Sequence, residues 1–115
     1  MKNNSDLKEF QNRIGYHFND EKYLKTALTH SSFANEVKMR KVNDNERLEF
    51  LGDAVLELTS SDYIYKNHSE MNEGSMTRLR ASIVCEPTLA LCARAFGLDE
   101  FIMLGKGEEL TGGRK

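Results

Sequence analysis

Four carboxylates follow one another at helical spacing near the middle of the chain and could bind a metal ion together. Glu46, Glu49 and Asp53 stand at positions i, i+3 and i+7 of a segment that reads as one continuous helix. At about 100° per residue they lie within roughly 60° of one another, and Glu57 joins the same side one turn later. Like charges stacked in this way cost about 0.2–0.5 kcal/mol per pair, whereas a hard divalent cation such as Mg²⁺ takes carboxylate oxygens as ligands. The spacing therefore indicates a cation site on this helix.

The same residues also fit a solvated helix face that pairs with surface arginines and lysines. Phe50 lies at the edge of the acidic side, where a large aromatic side chain would be partly exposed. Gly52 costs the helix about 1 kcal/mol relative to alanine, which suggests that something approaches its backbone closely. The opposite side is apolar and is predicted to be buried, which would make the helix central (Leu48, Leu51, Val55 and Leu58). Composition and spacing support the two interpretations about equally.

Helix start and stop signals predict five helices and no strand. The central helix is predicted to begin after Asp44 or Asn45 and to end near Lys66. The other helices are predicted over residues 6–14, 20–29, 76–84 and 87–96, with Gly97 as the stop residue of the last. Residues 31–43 are predicted to form a polar excursion, and residues 101–104 a short apolar turn. The predicted fold class is all-α.

Composition restricts the class of protein further. The chain has 115 residues, which fits one domain, and its formal net charge of −2 provides no overall basic field to favour nucleic acid. Cys85 and Cys92 are the only cysteines, and two cysteines without a secretory context predict reduced thiols in the cytoplasm. The first residues lack the apolar core of a signal peptide, and no apolar run approaches the roughly 20 residues that span a bilayer. No membrane partner is predicted.

Residues 45–56, Asn-Glu-Arg-Leu-Glu-Phe-Leu-Gly-Asp-Ala-Val-Leu, closely resemble the signature segment of the ribonuclease III endonuclease domain. This signature is too long and too unusual in composition to arise by chance. The resemblance covers nearly the whole chain. It includes the opening helix and Gly-Tyr-x-Phe turn at residues 7–18, the segment Ala-Leu-Thr-His-Ser-Ser at 27–32, and the segments at 72–84, 104–109 and 112–114.

The resemblance implies an all-α, ribonuclease III endonuclease-domain-like helical bundle that forms a homodimer. It further implies Mg²⁺-dependent cleavage of double-stranded RNA, with Mn²⁺ as a substitute metal, in the processing of rRNA and mRNA precursors. By position, Glu49 and Asp53 match metal-binding catalytic carboxylates. Glu46 and Glu73 match two acidic residues at the edge of the catalytic valley. Phe50 matches an aromatic residue that inserts into a socket on the partner subunit.

Basic side chains are the candidates for contacts to RNA phosphates, because an A-form duplex is recognised by its shape and backbone more than by its sequence. For any single one of them, an ordinary solvated surface charge is the simpler interpretation. The candidates are Arg78, Arg80, Lys106, Arg114 and Lys115.

In the family, two further metal-site carboxylates lie on a later helix, after the Gly-Gly-Arg loop, and a double-stranded RNA-binding domain usually follows. Both would lie beyond Lys115, so the bundle is expected to be incomplete at the C-terminus. Residues 1–115 are then the N-terminal portion of the endonuclease domain, and the RNA-binding domain is absent. A non-catalytic dimerising RNA-binding module and a helical protein-interaction domain with an acidic surface are the alternatives.

Overall fold

The computed structural model describes residues 4–37, 43–106 and 108. Over these ranges the chain forms six α-helices, followed by a 3₁₀ turn at Leu98–Glu100. The helices are α1 (Asn4–Ile14), α2 (Glu21–Ala27), α3 (Ser31–Glu36), α4 (Glu46–Asn67), α5 (Glu73–Ile83) and α6 (Glu86–Phe96). Strand-type pairing within the described ranges is limited to an isolated parallel bridge between Thr29 and Met103. The predicted all-α fold class is confirmed.

Local capping groups set several of the helix ends. The Asp20 carboxylate accepts a hydrogen bond from the Lys22 N–H at 3.0 Å and begins α2. After α6, Gly97 adopts a φ of 74°, the left-handed conformation that glycine tolerates at a helix end. α5 begins at Glu73, three residues earlier than predicted, because the Asn72 carboxamide accepts the Ser75 N–H at 2.8 Å and caps the helix itself.

Residues 31–36 form α3, where the sequence predicts an irregular excursion. The His30 imidazole caps this helix, because its Nδ1 accepts the Ser32 N–H at 3.1 Å. Histidine is not among the residues that usually cap helices, so the sequence predicts no helix start at this position. The basic half of the predicted excursion includes residues 38–42, which lie outside the described residues.

The buried core joins the first two helices to the segment that follows α6. Phe10 and Phe101 meet there with ring centroids 5.2 Å apart. The core cluster consists of Leu7, Phe10, Leu24, Leu28 and Phe101. Since Phe101 comes from the far end of the described chain, this cluster brings residues 101–105 beside the end of α2.

A buried glutamine fixes the turn between α1 and α2. The Gln11 amide nitrogen donates to the Glu21 carboxylate at 2.8 Å, and its carbonyl oxygen accepts the Phe18 N–H at 2.7 Å. One side chain therefore satisfies the backbone of the turn and the first residue of the next helix.

The long helix α4 is covered on part of its surface only. It packs against α5 and α2, and its buried residues are Ser60 and Ile64. The apolar side that the sequence predicts to be buried is largely exposed: Leu51 and Val55 are exposed, and Leu58 is 72% exposed. That prediction was wrong for the described chain, because an apolar stripe identifies a face that avoids water without identifying the element that covers it.

Gly52 also differs from expectation. A Cβ atom added at this glycine would meet nothing within 4 Å among the described residues, so the predicted close approach to its backbone is not made there.

Among the described helices, even the 22 residues of α4 are not apolar enough to cross a membrane.

Candidate active site

The first twelve residues of α4 carry an acidic strip, defined here as Glu46, Glu49, Asp53 and Glu57. All four side chains are exposed. Residues three and four apart on a helix have Cβ atoms about 5–6 Å apart, so neighbouring carboxylates of the strip can reach one small ion. Glu46, Glu49 and Asp53 thus lie along one side of α4, as the spacing predicts, although the three do not form a cluster that could hold a metal ion together.

The start of α4 is anchored to the end of α2. The Asn45 N–H donates to the Thr29 carbonyl at 2.9 Å, and the Asn45 side-chain amide donates to the Ala27 carbonyl at 3.0 Å. Asp44 then supplies the cap, since its carboxylate accepts the Glu46 N–H at 3.1 Å. The backbone that carries the acidic strip is therefore fixed relative to the core.

Glu57 is the member of the strip that has an ionic partner. Its carboxylate lies 3.7 Å from the Arg80 guanidinium on α5. Arg80 also donates to the Ser61 hydroxyl at 3.0 Å, and that hydroxyl donates to the Glu57 carbonyl at 2.7 Å. Arg80, a candidate for phosphate contact, is thus engaged within the chain. This pair could not be predicted from the residue types, because it depends on how α5 crosses α4.

Glu73, the first residue of α5, lies beside a part of α4 that is distant from Glu49 and Asp53. Glu73 is exposed at the first turn of α5 and borders a cavity of about 270 Å³ between the two helices. The cavity is lined by Ser61, Ile64, Tyr65, Glu73, Met76, Thr77 and Arg80. Because α4 rises 1.5 Å per residue, residues 61–65 stand about 12–18 Å beyond Asp53 along its axis. The described structure therefore places Glu73 beside residues 61–65 of α4 and not beside Glu49 and Asp53.

Glu49 and Asp53 fit a Mg²⁺ site in the chemistry of their donors. Mg²⁺ is commonly held by one or two carboxylates, with waters and substrate phosphates completing the octahedron. Both side chains are exposed, and no described residue forms an ion pair with either. The described residues bring no three histidine, cysteine, aspartate or glutamate side chains into one cluster. The pair is thus compatible with an ion that is completed by other ligands.

Phe50 is 83% exposed, as expected for an aromatic side chain at the edge of the acidic strip. Together with Leu51, Val55 and Leu58 it forms what we term the apolar ridge of α4. Exposed large apolar side chains grouped on one helix are typical of an interaction site. Phe50 borders the acidic strip, whereas Leu51, Val55 and Leu58 lie on the opposite side of the helix.

The remaining basic candidates are separate from one another. Arg78 is exposed and donates to the Ser75 hydroxyl at 3.3 Å. Lys106 is exposed directly after the buried Gly105. Arg114 and Lys115 lie outside the described residues.

Comparison with protein families and curated proteins identifies relatives over almost the whole chain. The family model described as Ribonuclease-III-like matches residues 20–115. A protein named Ribonuclease 3 from Geobacillus sp. strain WCH70 is 57% identical over 113 residues, which are 98% of this chain and 46% of that protein. Ribonuclease 3 from Bacillus velezensis is 55% identical over 109 residues, covering 95% and 44% of the two chains. The chain thus spans about half the length of these curated relatives.

Solved structures agree with the sequence relatives. The nuclease domain of ribonuclease III from Campylobacter jejuni, described for structural flexibility in a region involved in dimer formation, superposes with a TM-score of 0.83 at 38% identity. That alignment covers 94% of this chain and 71% of the other. A second structure of the same nuclease domain, at 2.2 Å resolution, gives a TM-score of 0.82 over 99% of this chain and 71% of the other.

Proposed function

Since the chain belongs to the ribonuclease III family, we propose that it acts in the cytoplasm as a Mg²⁺-dependent endoribonuclease that hydrolyses double-stranded RNA, including rRNA and mRNA precursors. The observation that supports this proposal best is the pair of exposed carboxylates, Glu49 and Asp53, one turn apart on an anchored helix. Both cysteines are free, which fits a reducing compartment.

Bound Mg²⁺ would activate a water molecule and relieve the charge that develops on the scissile phosphate. Glu49 and Asp53 would hold the ion, because their side chains share one face of α4. The hydrogen bonds from Asn45 to the end of α2 keep that face from shifting. Arg80 draws Glu57 toward α5, which leaves the first two turns of the strip to the metal. Glu46 would act at the edge of the site.

The proposal includes a homodimer in which a second copy covers the apolar ridge, with Phe50 inserted into the partner. The ridge is exposed in the single chain, and burial of such a surface is the main favourable term in protein association. The similar nuclease domain from Campylobacter jejuni is described with a region involved in dimer formation. Because Glu73 is remote from Glu49 within one chain, it would contribute to the metal site of the second copy.

The test is cleavage of a long double-stranded RNA in the presence of Mg²⁺ by this chain and by a longer chain that continues beyond Lys115. Glu49→Gln and Asp53→Asn remove a metal-binding charge and keep the side-chain size. Each should lower the rate by more than about 100-fold, the upper end of what outer-shell partners of a metal site cost. Glu57→Gln is the matched control on the same strip, and it should retain activity because Glu57 is paired with Arg80.

A second readout does not depend on turnover. Mn²⁺ should broaden the amide resonances of the first turns of α4 in the unaltered protein, and this broadening should weaken in Glu49→Gln. Cleavage that survives both ligand substitutions would contradict the proposed site. Binding of duplex RNA without cleavage by either chain would favour the non-catalytic RNA-binding module.

A further inference from the structure

Residues 28–32, which run from the end of α2 into the first turn of α3, touch two parts of the chain that are far apart in sequence. On one side, the Thr29 carbonyl accepts the N–H of Asn45, the residue that precedes the acidic strip, at 2.9 Å. On the other side, the Met103 N–H donates to the Leu28 carbonyl at 2.8 Å, and the His30 N–H donates to the Met103 carbonyl at 3.0 Å. This segment therefore connects the start of α4 to residues 103–105.

A short relay of hydrogen bonds continues this connection through two side chains. The Gly105 N–H donates to the Ser32 hydroxyl oxygen at 2.8 Å. The Ser32 hydroxyl lies 2.8 Å from Nδ1 of His30. Since this nitrogen accepts the Ser32 N–H and therefore carries no hydrogen, the hydroxyl is the donor of the pair. His30 thus orients the group that holds the backbone of Gly105.

The fit around Gly105 is close. A Cβ atom at this position would clash with the Glu36 carboxylate and would lie 2.7 Å from the Ser32 carbonyl oxygen. Gly105 is buried, and the next residue, Lys106, is exposed. Residues of α3 therefore fix the position of the backbone from which the exposed Lys106 extends.

We infer that Ser32, oriented by His30, is a positioning residue that holds Lys106 against an RNA phosphate at a set place relative to the acidic strip. The inference rests on the proposed function, because it supplies the duplex that Lys106 would contact. Lys106 contributes the positive charge that contacts the phosphate, whereas Ser32 acts only through the backbone of Gly105. Ser32 should accordingly matter for duplex binding only while Lys106 is present.

A double-mutant cycle tests this dependence. A short synthetic RNA duplex is titrated without divalent metal over a series of salt concentrations, with the unaltered protein, Ser32→Ala, Lys106→Ala and the double variant. Loss of one phosphate contact should lower the slope of log K against log salt by about one. We expect this loss in both single variants and no further loss in the double variant. Ser32→Thr, which keeps the hydroxyl, should restore the slope.

Amide hydrogen exchange shows whether Ser32→Ala acts at the intended place. Exchange at Gly105 should accelerate while the amides of α5 keep their protection. Ser32→Ala with an unaltered salt slope, or with a loss that adds fully to that of Lys106→Ala, would overturn the inference and leave the proposed function intact. Failure of the unaltered protein to bind the duplex would overturn both.

Discussion

Replacing Phe50 with alanine tests whether the apolar ridge is the surface that a second copy covers. The side chain is 83% exposed in the single chain, so a dimer that buries it would remove almost all of its area from water. Complete burial of a phenylalanine contributes about 1.5–3 kcal/mol. A two-fold dimer uses the same residue twice, so Phe50→Ala should cost about 3–6 kcal/mol per dimer. The dissociation constant should therefore rise by about 10²- to 10⁴-fold.

Sedimentation equilibrium over a range of protein concentrations measures this constant directly. Tyr63→Ala is the matched control, because Tyr63 is an exposed aromatic on the same helix and lies about 140° around its axis from Phe50. The control should dimerise like the unaltered protein. Equal dissociation constants for the Phe50→Ala variant and the unaltered protein would refute the assignment of the ridge to the dimer. Equal weakening by both substitutions would show that α4 is perturbed without specificity for the ridge.

Three substitutions should change the free energy of unfolding, measured by urea titration with circular dichroism. Gln11→Leu should lower it by about 1–3 kcal/mol, because the Phe18 N–H loses its acceptor; an unchanged midpoint would contradict this role. Gly97→Ala should lower it by about 1–2 kcal/mol, since the residue has a φ of 74° and the Arg13 guanidinium fills the space beside it. Gly52→Ala should instead raise it by about 1 kcal/mol in the isolated chain, where a Cβ would meet nothing within 4 Å among the described residues. A loss of stability in Gly52→Ala would show that this helical position is constrained in a way the single chain does not reveal.

The features that could be predicted from the sequence are those set by a few neighbouring residues. The acidic strip follows from helical spacing alone, and the end of α6 follows from the conformational freedom of Gly97. α3 was missed because its cap is an imidazole, His30. Two features depend on how α5 crosses α4, which residue types do not specify. They are the ion pair between Glu57 and Arg80 and the position of Glu73 beside residues 61–65.

The hydrophobic periodicity of α4 shows the same limit. Leu51, Val55 and Leu58 recur as in a buried helix face, and yet they are exposed. Periodicity reports that a helix has a side for which contact with water is unfavourable. The element that covers such a side belongs to the tertiary or quaternary structure.

The pairing of residues 28–32 with residues 103–105 has a consequence for the order in which the chain folds. Ser32 and Gly105 are 73 residues apart in sequence, and Phe101 completes a core that α1 and α2 begin. Closing so long a loop costs entropy before any contact compensates for it. α4 and α5 are consecutive helices that pack on each other, so they can pair early. On the ribosome, α1 and α2 must wait for residues 101–105 to emerge, and protection of their amides should appear after that of α4 and α5.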